Sequence, residues 1–252
     1  MSAPAVQPAP DSLETLGLTR SFGGVTALSA ATVRFHHGKV NGLIGPNGSG
    51  KTTLFNCVTG MIKPDAGRVM YRGHDITGSA PHRIARAGIG RSFQLCRVFP
   101  RMTVLDNLLV AVRARGLEAQ LASARSRDDV ERARGWLMRM GLDHLENTEA
   151  RDLSWGQRKL LELAGVLMAR PATILLDEPA GGVNPALIDR IARLIRQLNA
   201  EGKTFVIVEH NMDLVMAICD HIVVLDRGRP IAEGSPAAVR SDPRVLEAYL
   251  GV

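Results

Sequence analysis

The string Gly45-Pro46-Asn47-Gly48-Ser49-Gly50-Lys51-Thr52 constrains this chain more than any other stretch of it. It fits G-x-x-x-x-G-K-[ST] at every fixed position. The run Val40–Ile44 before it reads as a strand. Thr53-Leu54-Phe55 after it opens a helical pattern that stops near Gly60, with Pro64 beyond. A strand must therefore pass into a helix through a glycine-rich turn. Glycine lets the backbone curl and aim its N–H groups inward, and the helix N-terminus adds partial positive charge. The result, from Gly45 to Thr53, is a cradle for phosphate. In it Lys51 would bridge the β- and γ-phosphates of a nucleotide and Thr52 would hold Mg²⁺. The alternative, a glycine-rich turn carrying a solvated lysine, does not account for the flanking strand and helix.

The remaining pattern is that of the sheet such a loop belongs to. Leu16–Phe22 and Ala31–Phe35 are β-rich, and Arg68–Tyr71 and Ile89–Phe93 are further strand candidates. From Val104 to about Met140 the pattern is helical and arginine-rich. Gln157–Ala169 is helical and apolar almost all round, which predicts deep burial. Then Ile174–Leu176 and Phe205–Val208, both wholly apolar, alternate with helical Pro185–Glu201 and Met212–Cys219. Strands without polar alternation, separated by helices, signal a parallel sheet covered on both faces. His221–Leu225 and Pro230–Ala232, joined around Asp226-Arg227-Gly228, read as an antiparallel hairpin. The expected fold is α/β: a P-loop NTPase with a RecA-like core, an antiparallel β subdomain and a helical insertion at about 97–168. The domain runs over 13–252, and residues 1–12, rich in Pro and Ala, read as an unstructured tail.

Composition narrows the function classes. The 252 residues are 45% hydrophobic and 22% charged, enough to bury a substantial core. No apolar run approaches the roughly 18 residues that span a bilayer. The N-terminus has neither the basic start nor the apolar stretch of a secretory signal. Cys57, Cys96 and Cys219 are odd in number and widely spaced, against a disulfide framework or a zinc site. The net charge of +6 is scattered, and aromatics are only 4%. A nucleic-acid-binding face is therefore not expected.

Two further constellations carry chemistry. Ile174-Leu175-Leu176-Asp177-Glu178 places two carboxylates at the end of a buried strand, where open α/β sheets bind ligands. Asp177 would bind Mg²⁺ through water, and Glu178 would polarise an attacking water, a role worth ~10²–10⁴-fold in rate. The alternative is an acidic pair that stabilises a helix start before Pro179. Leu153-Ser154-Trp155-Gly156-Gln157 begins the buried helix. There Ser154 is either an ordinary N-cap or, with the Gly156 N–H, a group aimed at a phosphate from the opposite side.

With these residues in place, the chain resembles the ATP-binding cassette (ABC) ATPases, whose signature is LSGGQ, from about Leu13 to Val252. The resemblance implies roles for further residues. Phe22, in SFGGVTAL, stands where the family stacks an aromatic on adenine, although a buried core aromatic is an equal reading. Gln94, in RSFQ, matches a glutamine that reaches the Mg²⁺ and the water and borders the surface that meets the membrane subunits. His210, in VIVEHN, matches the histidine that contacts the γ-phosphate, with capping or a surface place as its alternative. Gln157 closes the signature. Two positions depart from the pattern: Trp155 stands for the commoner glycine, and Asn184, in GGVNP, stands where many members carry Asp.

The finer texture resembles the branched-chain amino acid uptake branch, carried by GLIGPNGSGKTTLFNCVTG, RSFQLCRVFPRMTVLDNLLVA, EHNMDLVMAICDHIVVLDRGRPIAEGSP and EAYLG. That branch also imports urea, amides and related solutes. The resemblance implies ATP and Mg²⁺ as cofactors and a head-to-tail dimer with a second cassette. It also implies permease subunits in the membrane, a periplasmic solute-binding protein, and a place on the cytoplasmic face of the inner membrane. Rival readings are a lipid or lipopolysaccharide exporter ATPase, a soluble ABC ATPase, a P-loop kinase and a non-catalytic ATP-gated module.

Overall fold

The computed structural model describes residues 13–92, 98–112 and 126–250. Gln94, Cys96, the tail 1–12 and the centre of the helical insertion lie outside the described residues. Two sheets carry the fold. The first is antiparallel and four-stranded, in the order β2-β1-β4-β5. Its members are β1 (Leu13–Phe22), β2 (Val25–Phe35), β4 (Ala66–Tyr71) and β5 (His74–Asp75). The second has six strands, in the order β10-β9-β3-β8-β7-β6. These are β3 (Val40–Ile44), β6 (Ile89–Arg91), β7 (Thr173–Asp177), β8 (Thr204–Val208), β9 (His221–Asp226) and β10 (Arg229–Gly234). All its pairings are parallel except the β9–β10 hairpin.

Every residue of β3, β7 and β8 is buried, which is why these strands show no polar alternation. The period of two still sorts their side chains. Ile174 and Leu176 enter one core with helices α5 (Trp155–Met168) and α6 (Pro185–Ala200). Leu175 enters the other, between the two sheets, with Leu54 and Phe55 of α1 (Lys51–Val58). Both faces of the central sheet are thus covered.

The helical insertion differs from its expectation as one run. Helix α3 (Val104–Val110) is capped by Thr103, and α4 (Arg127–Arg139) is capped by Ser126. They are separate helices that pack on each other and on α5. Leu108, Leu137, Met140 and Leu160 bury their contact. The long charged pattern hid the break because both helices share an apolar stripe of one period. The strand expected at Ile89–Phe93 ends at Arg91. Strands β1 and β2 are longer than expected, since register shifts along their pairing interrupt the alternation that marks a strand. Helix α2 (Pro81–Ala87) and the C-terminal helices α8 (Pro236–Arg240) and α9 (Pro243–Leu250) escaped the periodicity because they are short. Between β8 and β9 stands α7 (Met212–Ile218), as expected. Cys57 and Cys219 are buried free thiols that burial pushes up to about 11 and about 12.

The start of β3 is pinned by the residue that precedes its neighbour β9. Asp220 accepts the Val40 N–H at 2.8 Å and pairs with Arg196 at 3.0 Å, while its own N–H donates to the Val40 carbonyl at 2.7 Å. Burial alone would raise the Asp220 carboxyl, but the Val40 amide and the Arg196 guanidinium outweigh it and hold the group below the usual carboxylate range. A carboxyl whose folded value is depressed contributes stability above its unfolded value of about 4 and loses it as pH falls through the folded one. Asp220→Asn is therefore expected to lower stability at neutral pH, with the difference from wild type vanishing in the acid range. Urea denaturation at several pH values measures this, and a pH-independent difference contradicts it.

Candidate active site

Three neighbouring parallel strands, β3, β8 and β7, deliver their carboxyl ends side by side. That edge is where an open α/β sheet binds its ligand. From β3 comes the glycine-rich loop. Gly45 has φ +146°, and a Cβ there would overlap the Leu225 carbonyl. Gly50 has φ +103°, and a Cβ there would overlap the Ala27 carbonyl. Only glycine allows the loop to press between β2 and the β9–β10 turn, where Gly228 N–H donates to the Ser49 carbonyl at 2.9 Å. Gly50 caps α1 without a side chain, and the first turn holds no acidic residue. The positive end of the helix therefore faces the loop.

Lys51 is buried and folds back over this loop. Its Nζ donates to the carbonyls of Gly45 and Pro46, both at 2.8 Å, and to Ser49 Oγ at 3.3 Å. Burial pushes the ammonium below the usual lysine range, and the carboxylates of Glu178 and Asp177 oppose that. The loop thus holds a cation at its mouth on acceptors that a phosphate oxygen can replace. Pro46, Asn47, Gly48 and Thr53 complete the loop, with Thr52 exposed at the helix start. Burial raises the Tyr249 phenol of α9, and the Gly45 amide opposes the shift.

From β7 come the two carboxylates. Asp177 is buried and pairs with Arg91 Nη2 at 3.1 Å. Arg91 also donates to Asn56 Oδ1 at 2.7 Å and Thr59 Oγ1 at 2.9 Å, at the far end of α1. This arginine was not legible as a site residue, because in the sequence it is one of many scattered basic residues. Glu178 has φ +50°, left-handed backbone that a residue with a Cβ adopts at a cost of about 1–2 kcal/mol. Three bonds hold it there. Its N–H donates to the Val208 carbonyl at 2.9 Å, and its carbonyl accepts from Lys159 Nζ at 2.7 Å and from Gly181 N–H at 3.0 Å. The strained turn swings the Glu178 side chain to His210, which follows β8. Glu178 Oε1 and His210 Nε2 share a hydrogen bond of 2.8 Å.

The remaining expected residues have partners of their own. Phe22 is 43% exposed at the β1 end, with the Arg20 guanidinium 4.8 Å from its ring centroid. It is no core aromatic. Ser154 caps α5 in a reciprocal box: its Oγ accepts the Gln157 N–H at 3.3 Å, and Gln157 Oε1 accepts the Ser154 N–H at 2.8 Å. A Cβ at Gly156 would run into Leu187. Trp155 donates from Nε1 to the Gly181 carbonyl at 3.4 Å, and Lys159 Nζ lies 5.9 Å from its ring centroid. The indole thus braces the turn that follows Glu178, which gives the departure from glycine a local role. Asn184 caps α6 by accepting the Leu187 N–H at 2.9 Å, a task that needs no charge.

The donor set suits Mg²⁺. The Thr52 hydroxyl and the Asp177 carboxylate are hard oxygen donors, and this ion takes few protein ligands beside water and phosphate oxygens. Among the described residues no group of three or more Asp, Glu, His or Cys side chains is placed to cage a metal.

Comparison with known proteins gives consistent matches. Residues 28–181 match the family model of ABC transporters, and residues 229–252 match that of branched-chain amino acid ATP-binding cassette transporters. The high-affinity branched-chain amino acid transport ATP-binding protein BraF of Pseudomonas aeruginosa is 43% identical over 95% of this chain and 97% of its own length. A nucleotide-free ATP-binding cassette from an ABC transporter superposes with a TM-score of 0.85 at 38% identity, covering 95% of this chain and 99% of that one. A dimeric cassette bound to ADP and phosphate, in a post-hydrolysis state, gives a TM-score of 0.77 at 25% identity over 89% of this chain and 98% of its own.

Arg91→Ala would leave Asp177 buried without the cation beside it. Removing one member of a buried pair costs about 3–5 kcal/mol, so this variant should be destabilised by that order. Chemical denaturation reads the loss, and a change below about 1 kcal/mol denies Arg91 the role of holding Asp177.

Proposed function

This chain belongs to the ABC transporter family of ATP-binding cassettes, in its branched-chain amino acid branch, and from that premise we propose that it is the ATP-hydrolysing subunit of a branched-chain amino acid importer. The observation that carries the reading is the Glu178–His210 pair, 2.8 Å apart, standing beside the strand that ends in the Lys51 loop. The C-terminal match and the name of the relative support the branched-chain substrate class over urea, amides or an exported lipid.

In this reading the loop amides of Gly45–Thr53 and the Lys51 ammonium bind the phosphates of ATP. Thr52 and Asp177, with Gln94, would hold Mg²⁺, which when bound neutralises charge on the β- and γ-phosphate oxygens. Glu178 accepts the proton of the attacking water, and His210 fixes the Glu178 carboxylate and reaches the γ-phosphate. Exposed Phe22 offers the adenine a face to stack on. Ser154 and Gln157 spend their side chains on the α5 cap, and in this reading that end of α5, with Gly156, faces the γ-phosphate bound by a second cassette packed head to tail. ATP is then shared by two chains. ADP lacks the γ-phosphate and loses the contacts across the interface, and this difference in affinity is what drives opening and closing.

The work is delivered to permease subunits. A largely apolar cleft of about 270 Å³ lies between α3 and α5, lined by Val98, Phe99, Val110 and Leu161, with Arg91 and Glu162 also on its wall. Phe99 and Val110 are each more than half exposed there. Such a cleft suits an apolar helix of a membrane partner, and it connects through Arg91 to Asp177. Among the described residues no helix is long and apolar enough to cross a membrane. As a cassette of this family the chain would sit on the cytoplasmic face of the inner membrane, with a periplasmic binding protein presenting the solute to the permease.

Glu178→Gln should bind ATP as wild type does, lose turnover by about 10²–10⁴-fold and accumulate as a closed dimer. Gel filtration with ATP that shows monomers alone contradicts the shared-site reading. Lys51→Ala removes a charge-assisted hydrogen bond worth about 1.5–3 kcal/mol, so nucleotide affinity should fall at least about ten-fold. Unchanged affinity in equilibrium binding contradicts the assignment of the loop. Gentle purification from membranes, followed by identification of the solute on the co-purifying binding protein, tests the substrate class.

A further inference from the structure

Beneath the Glu178–His210 pair lies a second carboxylate, that of Glu209, and its surroundings are unlike those of a surface residue. Glu209 is 3% exposed. Its Oε1 accepts the Ala180 N–H at 2.6 Å, and its Oε2 accepts the N–H groups of His210 at 3.0 Å and Asn211 at 3.1 Å. Ala180 lies two residues beyond Glu178, on the turn that leaves β7. His210 and Asn211 lie on the turn that leaves β8. One buried side chain therefore ties together the backbones of the two turns that carry the reacting groups. The tie closes a ring with two other bonds: Glu178 N–H to the Val208 carbonyl, and Glu178 Oε1 to His210 Nε2.

We propose that Glu209 is a positioning residue for hydrolysis, a buried latch that makes the Glu178 turn and the His210 turn move as one body. The chemistry requires a carboxylate. Three donors converge on two oxygens, and an ionised carboxylate accepts on both, whereas a glutamine amide accepts on one and presents a donor at the other. Bonds of backbone N–H to an ionised acceptor are also the stronger kind. The latch has work to do because Glu178 sits at φ +50°, a backbone state that relaxes unless its neighbours hold it. Glu209 spends its oxygens on the amides of Ala180, His210 and Asn211 and not on the glycine-rich loop, so its effect belongs to the chemical step and not to nucleotide capture.

The proposal rests on the hydrolytic reading above, and its test separates the two. Glu209→Gln keeps the size of the side chain and places a donor against a donor. Its kcat for ATP hydrolysis should fall about 10–100-fold, because misplacing a reacting group by about 1 Å costs that order. Its KM for ATP and its binding of a fluorescent ATP analogue should stay within about two-fold of wild type. A kcat within about two-fold of wild type overturns the proposal, as does a loss that appears in KM or in nucleotide affinity. If the variant does not fold, amide hydrogen exchange on the wild-type chain decides. The latch requires the amides of Ala180, His210 and Asn211 to open together in one event, and independent opening overturns it. That measurement needs no turnover, so it judges the latch even if Glu178→Gln were to leave hydrolysis intact and the hydrolytic reading failed.

Discussion

Parallel hydrogen bonding of β3 to β8 on one side and to β9 on the other organises the whole molecule. Parallel neighbours end at the same edge, so a loop that leaves β3 opens beside the turns that leave β8 and β7. The glycine-rich loop stands more than a hundred residues before the Glu178 turn, and that turn precedes His210 by 32, yet all three end at one sheet edge because of this register. The register in turn is enforced by burial. Strands covered on both faces cannot slip by one residue without exchanging the side chains of two filled cores.

A strained backbone survives at Glu178 because its polar groups are all spoken for. The left-handed turn costs about 1–2 kcal/mol, of the order of one hydrogen bond, and it is offset by bonds to Val208, Lys159 and Gly181. The two departures from the family pattern, Trp155 and Asn184, fit the same economy of fixed backbone. Trp155 lays its indole on the turn that follows Glu178, and Asn184 ends that turn by capping α6. Both act on the path between the Glu178 carboxylate and the start of the next helix. Arg91 does the corresponding work on the other side, joining Asp177 to the end of α1. The site is thus braced from three directions, by α1, α5 and the turn after β8.

Legibility in the sequence followed the locality of the signal. The phosphate loop, the Asp177-Glu178 pair and the apolar strands β3, β7 and β8 were readable because each depends on residues adjacent in the chain. The separation of α3 from α4 was not, since two helices of one period look like one helix until their packing is known. Strands β1 and β2 were half readable, because bulges break the alternation that announces a strand. Glu209 and Arg91 were unreadable in a deeper way. A charged residue in a sequence looks solvated, and only its neighbours in space show that it is buried and bonded.

The amino-acid order alone determined the class of fold, the glycine-rich loop and the chemical identity of the groups around it, because steric demands on glycine and the burial of apolar strands are local properties. Tertiary structure decided which of those groups meet. It brought Glu178 to His210, paired Asp177 with Arg91, set Glu209 beneath the turns, left Phe22 exposed and kept Ser154 in its own cap. Those outcomes depend on strand order and on the filling of two cores. Both arise from contacts between segments far apart in the chain, which no local pattern encodes.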